Sequence, residues 1–202
     1  EPHDAVIDGW IAAMGRRRAH RDQDPHAVAR LGVSFIHGLQ DNGMIATAKH
    51  FPGHGDTETN SHLALPVVNV SRARLDTVEL VPFRAAIRAG VGAVMTFHGS
   101  MPALDSSGAP ATLSPGVVTG LLRNELGFKG LVISDAMDMK GVTDKYGATE
   151  AIKRAVAAGV DVLIQPLDVP GAIDAVVDGV TEGRYTETRV SESARRILAM
   201  KH

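Results

Sequence analysis

The sequence predicts an α/β fold on a parallel sheet, the C-terminal part of a TIM (β/α)8-type barrel with about four clear βα units. Three observations predict it. Short apolar runs alternate with longer amphipathic ones from about residue 44 onward. The segments after the apolar runs (50–70, 98–113 and 135–147) are long and polar, whereas the returns at Ala89-Gly90-Val91 and Ala158-Gly159 are tight. Finally, a whole barrel takes about 250 residues, and the chain has 202.

The apolar runs are Met44–Ala48, Gly92–Thr96, Gly130–Ser134 and Val160–Ile164. Each is short, partly β-branched and bounded by glycine or a polar residue, as expected of a strand buried on both faces. Pro25 to Gln40 predicts a helix before the first strand. Ser71 is placed to cap a second helix with an apolar stripe of Leu75, Val78, Leu80, Phe83, Ala86 and Ile87, ending at Gly90. Ser114-Pro115 opens a third, with Gly127 just past its end. Ala148 to Ala158, Val169 to Val180 and Thr188 to Met200 complete the helices. Strand–helix alternation of this kind requires right-handed crossovers and brings all carboxyl ends of the strands to one rim, where function is expected. Residues 1–23 are an N-terminal segment that supplies at most one more element, and residues 24–202 form the partial barrel domain.

Composition excludes several classes. Hydrophobic residues make up 44% and charged residues 22%, enough to bury a core. A net charge of −2 and 4% aromatics argue against nucleic-acid binding and against an anionic membrane. There is no cysteine, which removes disulfides, thiolate zinc sites and a thiol nucleophile. No apolar run approaches the ~20 residues of a membrane span. The chain opens Glu1-Pro2-His3-Asp4, as expected of a processed or truncated piece; the compartment is not legible, and cytoplasm is the default expectation.

Chemistry concentrates in Lys49-His50-Phe51-Pro52-Gly53-His54-Gly55-Asp56-Thr57-Glu58-Thr59-Asn60-Ser61-His62, expected as one loop after the first strand. Gly53 and Gly55 free the backbone around His54. A second cluster, Ser134-Asp135-Ala136-Met137-Asp138-Met139, puts Asp135 at the end of the third strand. A carboxylate there is ill placed for stability but well placed as a nucleophile or base. Met137 and Met139 are expected to be packing residues, and Asp138 to be solvated. His98 ends the second strand on the same rim, either as a hydrogen-bonded structural ring or as part of the site.

Lys49-His50-Phe51-Pro52-Gly53-His54-Gly55, followed by Ser61-His62 and Leu65-Pro66, resembles the signature loop of family 3 glycoside hydrolases of the β-N-acetylglucosaminidase type. Met95–His98, Pro102–Asp105, Ala111–Ser114, Glu125–Phe128 and Val132–Met137 extend the resemblance over roughly residues 24–200. It implies removal of N-acetylglucosamine from peptidoglycan fragments or related glycans, with retention and without a cofactor. Asp135 then matches the nucleophile and His62 the histidine acid/base, while Lys49 and His50 match the pair that hydrogen-bonds the sugar hydroxyls. Arg17 or Arg18 stands for a substrate-binding arginine, with Arg17 the residue assigned.

The chain departs from the family where an aspartate is expected two residues before the catalytic histidine, because Asn60 stands there. An amide can orient the imidazole but cannot neutralise an imidazolium. Asp56, six residues before His62, is a carboxylate that could substitute. A half barrel also leaves two open sheet edges, so a homodimer of halves or a missing N-terminal half-barrel is expected. Two other readings stand beside catalysis: a degenerate homologue that only binds sugar, and a metal hydrolase using His50, His54, His62 or His98 with Asp56 or Asp135. Phe51-Pro52-Gly53 between His50 and His54 is not helical, which weakens the metal reading, and no metal is assigned.

Overall fold

The computed structural model describes residues 24–54 and 65–201. In chain order the elements are α1 (Pro25–Gln40), β1 (Thr47–Phe51), α2 (Arg72–Thr77), α3 (Leu80–Arg88), β2 (Ala93–Thr96), a 3-10 turn (Ala111–Leu113), a π-helix (Gly116–Glu125), β3 (Leu131–Ala136), α4 (Lys140–Tyr146), α5 (Ala148–Ala158), β4 (Val162–Ile164), α6 (Val169–Thr181) and α7 (Glu187–Ala199). The four strands form one sheet in the order β1-β2-β3-β4, and every pairing is parallel. This is the α/β arrangement expected, with four strands each followed by helix. The proposed N-terminal segment, residues 1–23, lies outside the described residues.

Local signals explain most boundaries. Asp24 caps α1 by accepting from the His26 amide, with Pro25 in the first turn. Thr186 caps α7 and Asp168 caps α6 in the same way. Gly159, at φ 117°, ends α5 in the left-handed conformation. Gln40 fastens α1 to the sheet, its side chain accepting from the Gly92 amide and donating to the Gly90 carbonyl.

Three expectations are corrected. The first strand begins at Thr47 rather than Met44, because the Met44 amide is used to close the end of α1 on the Leu39 carbonyl. Met44 and Ile45 are therefore half-exposed connectors, and pairing with β2 starts at Thr47↔Ala93. Lys49 and His50 consequently lie inside β1, not in a loop after it. The single helix expected from Ser71 to Gly90 is two helices. Pro82 has no amide to donate and its ring crowds the carbonyl four residues back, at Val78, where the break falls. The apolar stripe survives the break, with Leu75, Leu80, Phe83 and Ala86 all buried. The third strand runs on to Ala136, so Asp135 is its penultimate residue rather than its last.

The core sits between the sheet and its helices, built on Phe51, Val94, Phe97, Val118, Leu122 and Val132, all within 2% of full burial. Met137 and Met139 are buried as expected, and Asp138 is exposed. At the amino end of the strands the Asp161 side chain is wholly buried. It binds Arg123 and Arg196 (2.9 Å), accepts from Ser193 Oγ and from the Val132 amide (2.9 Å), and lies 3.7 Å from Arg189. This hub ties the π-helix, β3 and α7 to one carboxylate. Removing its charge leaves clustered guanidinium groups uncompensated in a low-dielectric setting. Asp161→Asn is expected to lower unfolding free energy by about 3–5 kcal/mol, read as a drop in the denaturant midpoint; an unchanged midpoint would show that the hub is solvated.

Candidate functional site

The carboxyl ends of β1, β2 and β3 converge on one rim. β3 presents Asp135, with Oδ1 accepting from the Ala136 amide at 3.0 Å. β1 presents Lys49 and His50 two strands away, and the loop that follows carries His54. The His54 ring lies on Phe97 at 4.2 Å between centroids, and the His50 ring meets His54 edge-on at 5.8 Å. Phe97, the residue that follows β2, is fully buried and supplies the floor on which the His54 ring rests.

Gly53 permits this turn. Its φ is 143°, and a Cβ there would stand 2.9 Å from the Glu79 side chain. The Lys49–His50 and Phe51–Pro52 peptide bonds are both cis.

Burial pushes the His50 imidazole down to about 4. The negative charge of Asp135 opposes this shift, while the Lys49 charge and the rings of His54 and His98 reinforce it. His50 is thus a neutral imidazole at pH 7, able to donate from one nitrogen and accept at the other. Those are the properties needed to hydrogen-bond a hydroxyl group. Asp135 is thus an electrostatic neighbour of His50 across the width of β2.

His98 is fully buried. Its Nδ1 is 2.8 Å from Thr112 Oγ1 and its Nε2 is 3.0 Å from the Ala136 carbonyl. It is a hydrogen-bonded structural ring, one of the two alternatives the sequence left open. Thr112 and Thr96, which complete its surroundings, were not singled out from the sequence as functional. The signal that could have found them is their place in Met95–His98 and Ala111–Ser114, two of the stretches that carry the resemblance.

Asp135, Lys49 and His50 lie on the same rim of the sheet. Arg17, Asn60 and His62, together with Asp56, lie outside the described residues. Among the described residues, no group of three or more His, Asp or Glu is arranged to hold a metal ion, and no helix is long and apolar enough to cross a membrane.

Comparison with known proteins gives this rim a family. Residues 12–200 match the glycosyl hydrolase family 3 N-terminal domain. The chain belongs to that family. Beta-hexosaminidase A of Pseudoalteromonas piscicida is 33% identical over 199 residues, spanning 89% of this chain and 33% of that relative. The beta-hexosaminidase of Neisseria gonorrhoeae is 38% identical over 173 residues, spanning 86% of this chain and 46% of the relative. Among solved structures, a glycoside hydrolase family 3 beta-N-acetylglucosaminidase from a Paenibacillus species superposes with a TM-score of 0.84 at 47% identity, covering 87% of this chain and 34% of that one. A beta-N-acetylhexosaminidase from Beutenbergia cavernae superposes with a TM-score of 0.80 at 31% identity, covering 88% and 53%. The chain therefore spans a third to a half of the length of these family members.

The buried His50 ring makes a pH prediction. In the fold it takes up a proton only near pH 4, against 6.5 for an unperturbed histidine. Between those values the unfolded chain binds more protons, so stability rises with pH and is lost as pH falls from about 6.5 to 4. His98, lowered in the same direction by burial, steepens the loss. Thermal scans across this window are expected to show a shallower acid slope for His50→Asn than for the parent chain. An identical slope would mean that the ring titrates as it does in water.

Proposed function

We propose that this chain forms part of a retaining β-N-acetylhexosaminidase, which removes terminal β-linked N-acetylglucosamine through a glycosyl-enzyme intermediate. The observation that carries the reading is the convergence of Asp135 with Lys49 and His50 on one rim of the sheet. The names of the relatives support the substrate class. In this reading the Asp135 carboxylate attacks C1 of the sugar, forming the ester bond as the glycosidic bond breaks. His62 gives its proton to the departing oxygen and then takes one from the water that hydrolyses the ester. Asn60 orients the His62 ring, while Lys49, His50 and Arg17 hold the sugar. No cofactor is required. Recycling of cell-wall peptidoglycan is the setting this substrate class suggests.

The rim needs a closed wall around it. Among the described residues β1 and β4 each pair on one side only. Beside these edges Met44 and Ile45, and on the other side Leu167, Val169, Ile173 and Val177, are 46–68% exposed. Unpaired parallel edges flanked by apolar surface call for further strands. These would come from an N-terminal half-barrel or from a second copy. Light-scattering mass of the purified chain separates the two.

Turnover of an aryl β-N-acetylglucosaminide tests the reading. Asp135→Asn is expected to lower kcat by about 10³-fold or more, with the fold retained by circular dichroism. Turnover that survives the substitution would dismiss Asp135 as the nucleophile. The substitution of Asn60 for the expected aspartate favours a second reading, a homologue that binds sugar without cleaving it. Calorimetric binding of N-acetylglucosamine by a protein with no turnover would establish that alternative.

A further inference from the structure

The backbone ladder between β2 and β3 ends at Met95↔Ile133, two residues short of Asp135. Beyond that point side chains of the β2 segment take over. The Thr96 hydroxyl lies 3.3 Å from the Ile133 carbonyl and 2.8 Å from Thr112 Oγ1. Thr112 Oγ1 is 2.8 Å from His98 Nδ1, and His98 Nε2 reaches the Ala136 carbonyl at 3.0 Å. Thr96, His98 and Thr112 are all completely buried.

The proton order in this chain follows from its ends. A carbonyl only accepts, so Nε2 must carry the hydrogen. In a neutral imidazole Nδ1 then accepts, which commits the single Thr112 proton to it. With that proton directed at Nδ1, Thr112 Oγ1 accepts from Thr96; the Phe97 carbonyl, 3.1 Å from Thr112 Oγ1, and the Ile133 carbonyl, 3.3 Å from Thr96 Oγ1, are the competing acceptors for the two hydroxyl protons. Burial keeps the His98 ring neutral, so Nδ1 carries no proton of its own.

Ala136 is where this chain meets the carboxylate. Its amide donates to Asp135 Oδ1, and its carbonyl is the group His98 holds. On the β4 flank the Met137 amide donates to the Ile164 carbonyl at 2.9 Å, and the Ile164 amide to Ser134 Oγ at 3.1 Å. The segment carrying Asp135 is thus gripped from both sides, but on the β2 side only by side chains.

We propose that His98, oriented by Thr112, is a positioning residue for Asp135: it holds the Ala136 carbonyl and so restrains the backbone of the residue whose amide anchors the carboxylate. The proposal rests on the reading of Asp135 as the nucleophile. A misplacement of about 1 Å at a reacting group can cost on the order of 10²-fold in rate. A buried apolar residue at position 98 would fill the space but supply no donor to that carbonyl.

Two measurements test it in the protein that turns over the aryl glycoside. Thr112→Val is expected to lower kcat by about 10- to 100-fold with KM changed less than about twofold, and Thr112→Ser to restore it. His98→Gln should behave like Thr112→Val. In the parent protein, nitrogen NMR of His98 should show a neutral ring protonated on Nε2, and the Ala136 carbonyl carbon should shift in Thr112→Val. Unchanged kcat in Thr112→Val, with only a lowered melting temperature, would overturn the proposal, as would a proton on Nδ1. Should the parent protein show no turnover, the glycosidase reading fails separately. The Ala136 carbonyl signal then still decides whether His98 and Thr112 hold that peptide.

Discussion

The pairing of β2 with β3 is the constraint on which the rim depends. Ala93, Val94 and Met95 pair with Leu131, Val132 and Ile133, placing the two strand ends side by side. Gly130 allows the close approach at the start of this pair, since a Cβ there would collide with the Gly92 carbonyl. From that register follows the position of Phe97 beneath His54, and of His98 beside Ala136. β1 is then added in parallel on the outer side of β2, which carries Lys49 and His50 to the same end. A parallel sheet delivers all its carboxyl ends to one face, so polar side chains at those ends gather without any local sequence relation.

Two aspartates show how the ends of the sheet differ. The Asp161 side chain, at the amino end, is completely buried and surrounded by arginines, serine and a backbone amide. Its charge is spent on holding elements together. Asp135, at the carboxyl end, is partly exposed and is faced by the His50 and His98 imidazoles, both held neutral by burial. A neutral ring leaves the carboxylate's charge uncompensated, as the role proposed for Asp135 requires. The same residue type thus serves cohesion at one end and, in the proposed reading, chemistry at the other.

Much of this was legible in the residues themselves. Pro25 to Gln40 forms the helix its pattern predicts, and Ser71, Ala148 and Gly159 mark real boundaries. The Lys49-His50 and Ser134-Asp135 motifs do meet at one rim. Where the reading slipped, the cause was identifiable. Met44 and Ile45 look like strand but close α1, because periodicity does not reveal which amide a helix end will claim. Lys49 and His50 look like loop but lie in β1, because a strand end facing a site tolerates polar residues that a core strand would not.

What the sequence determined by itself is the alternation of strand and helix, and with it a parallel sheet with function at one rim. It also determined the identity of the Lys49, His50 and Asp135 side chains, because each is carried by a local motif. Only the tertiary structure decided that His50 is a neutral ring and that His98 is a buried bridge. It alone joined Thr96, Thr112 and Ala136 into one hydrogen-bonded chain. Desolvation and hydrogen-bond direction depend on residues 14 to 85 positions away, which come together only when the strands take their register.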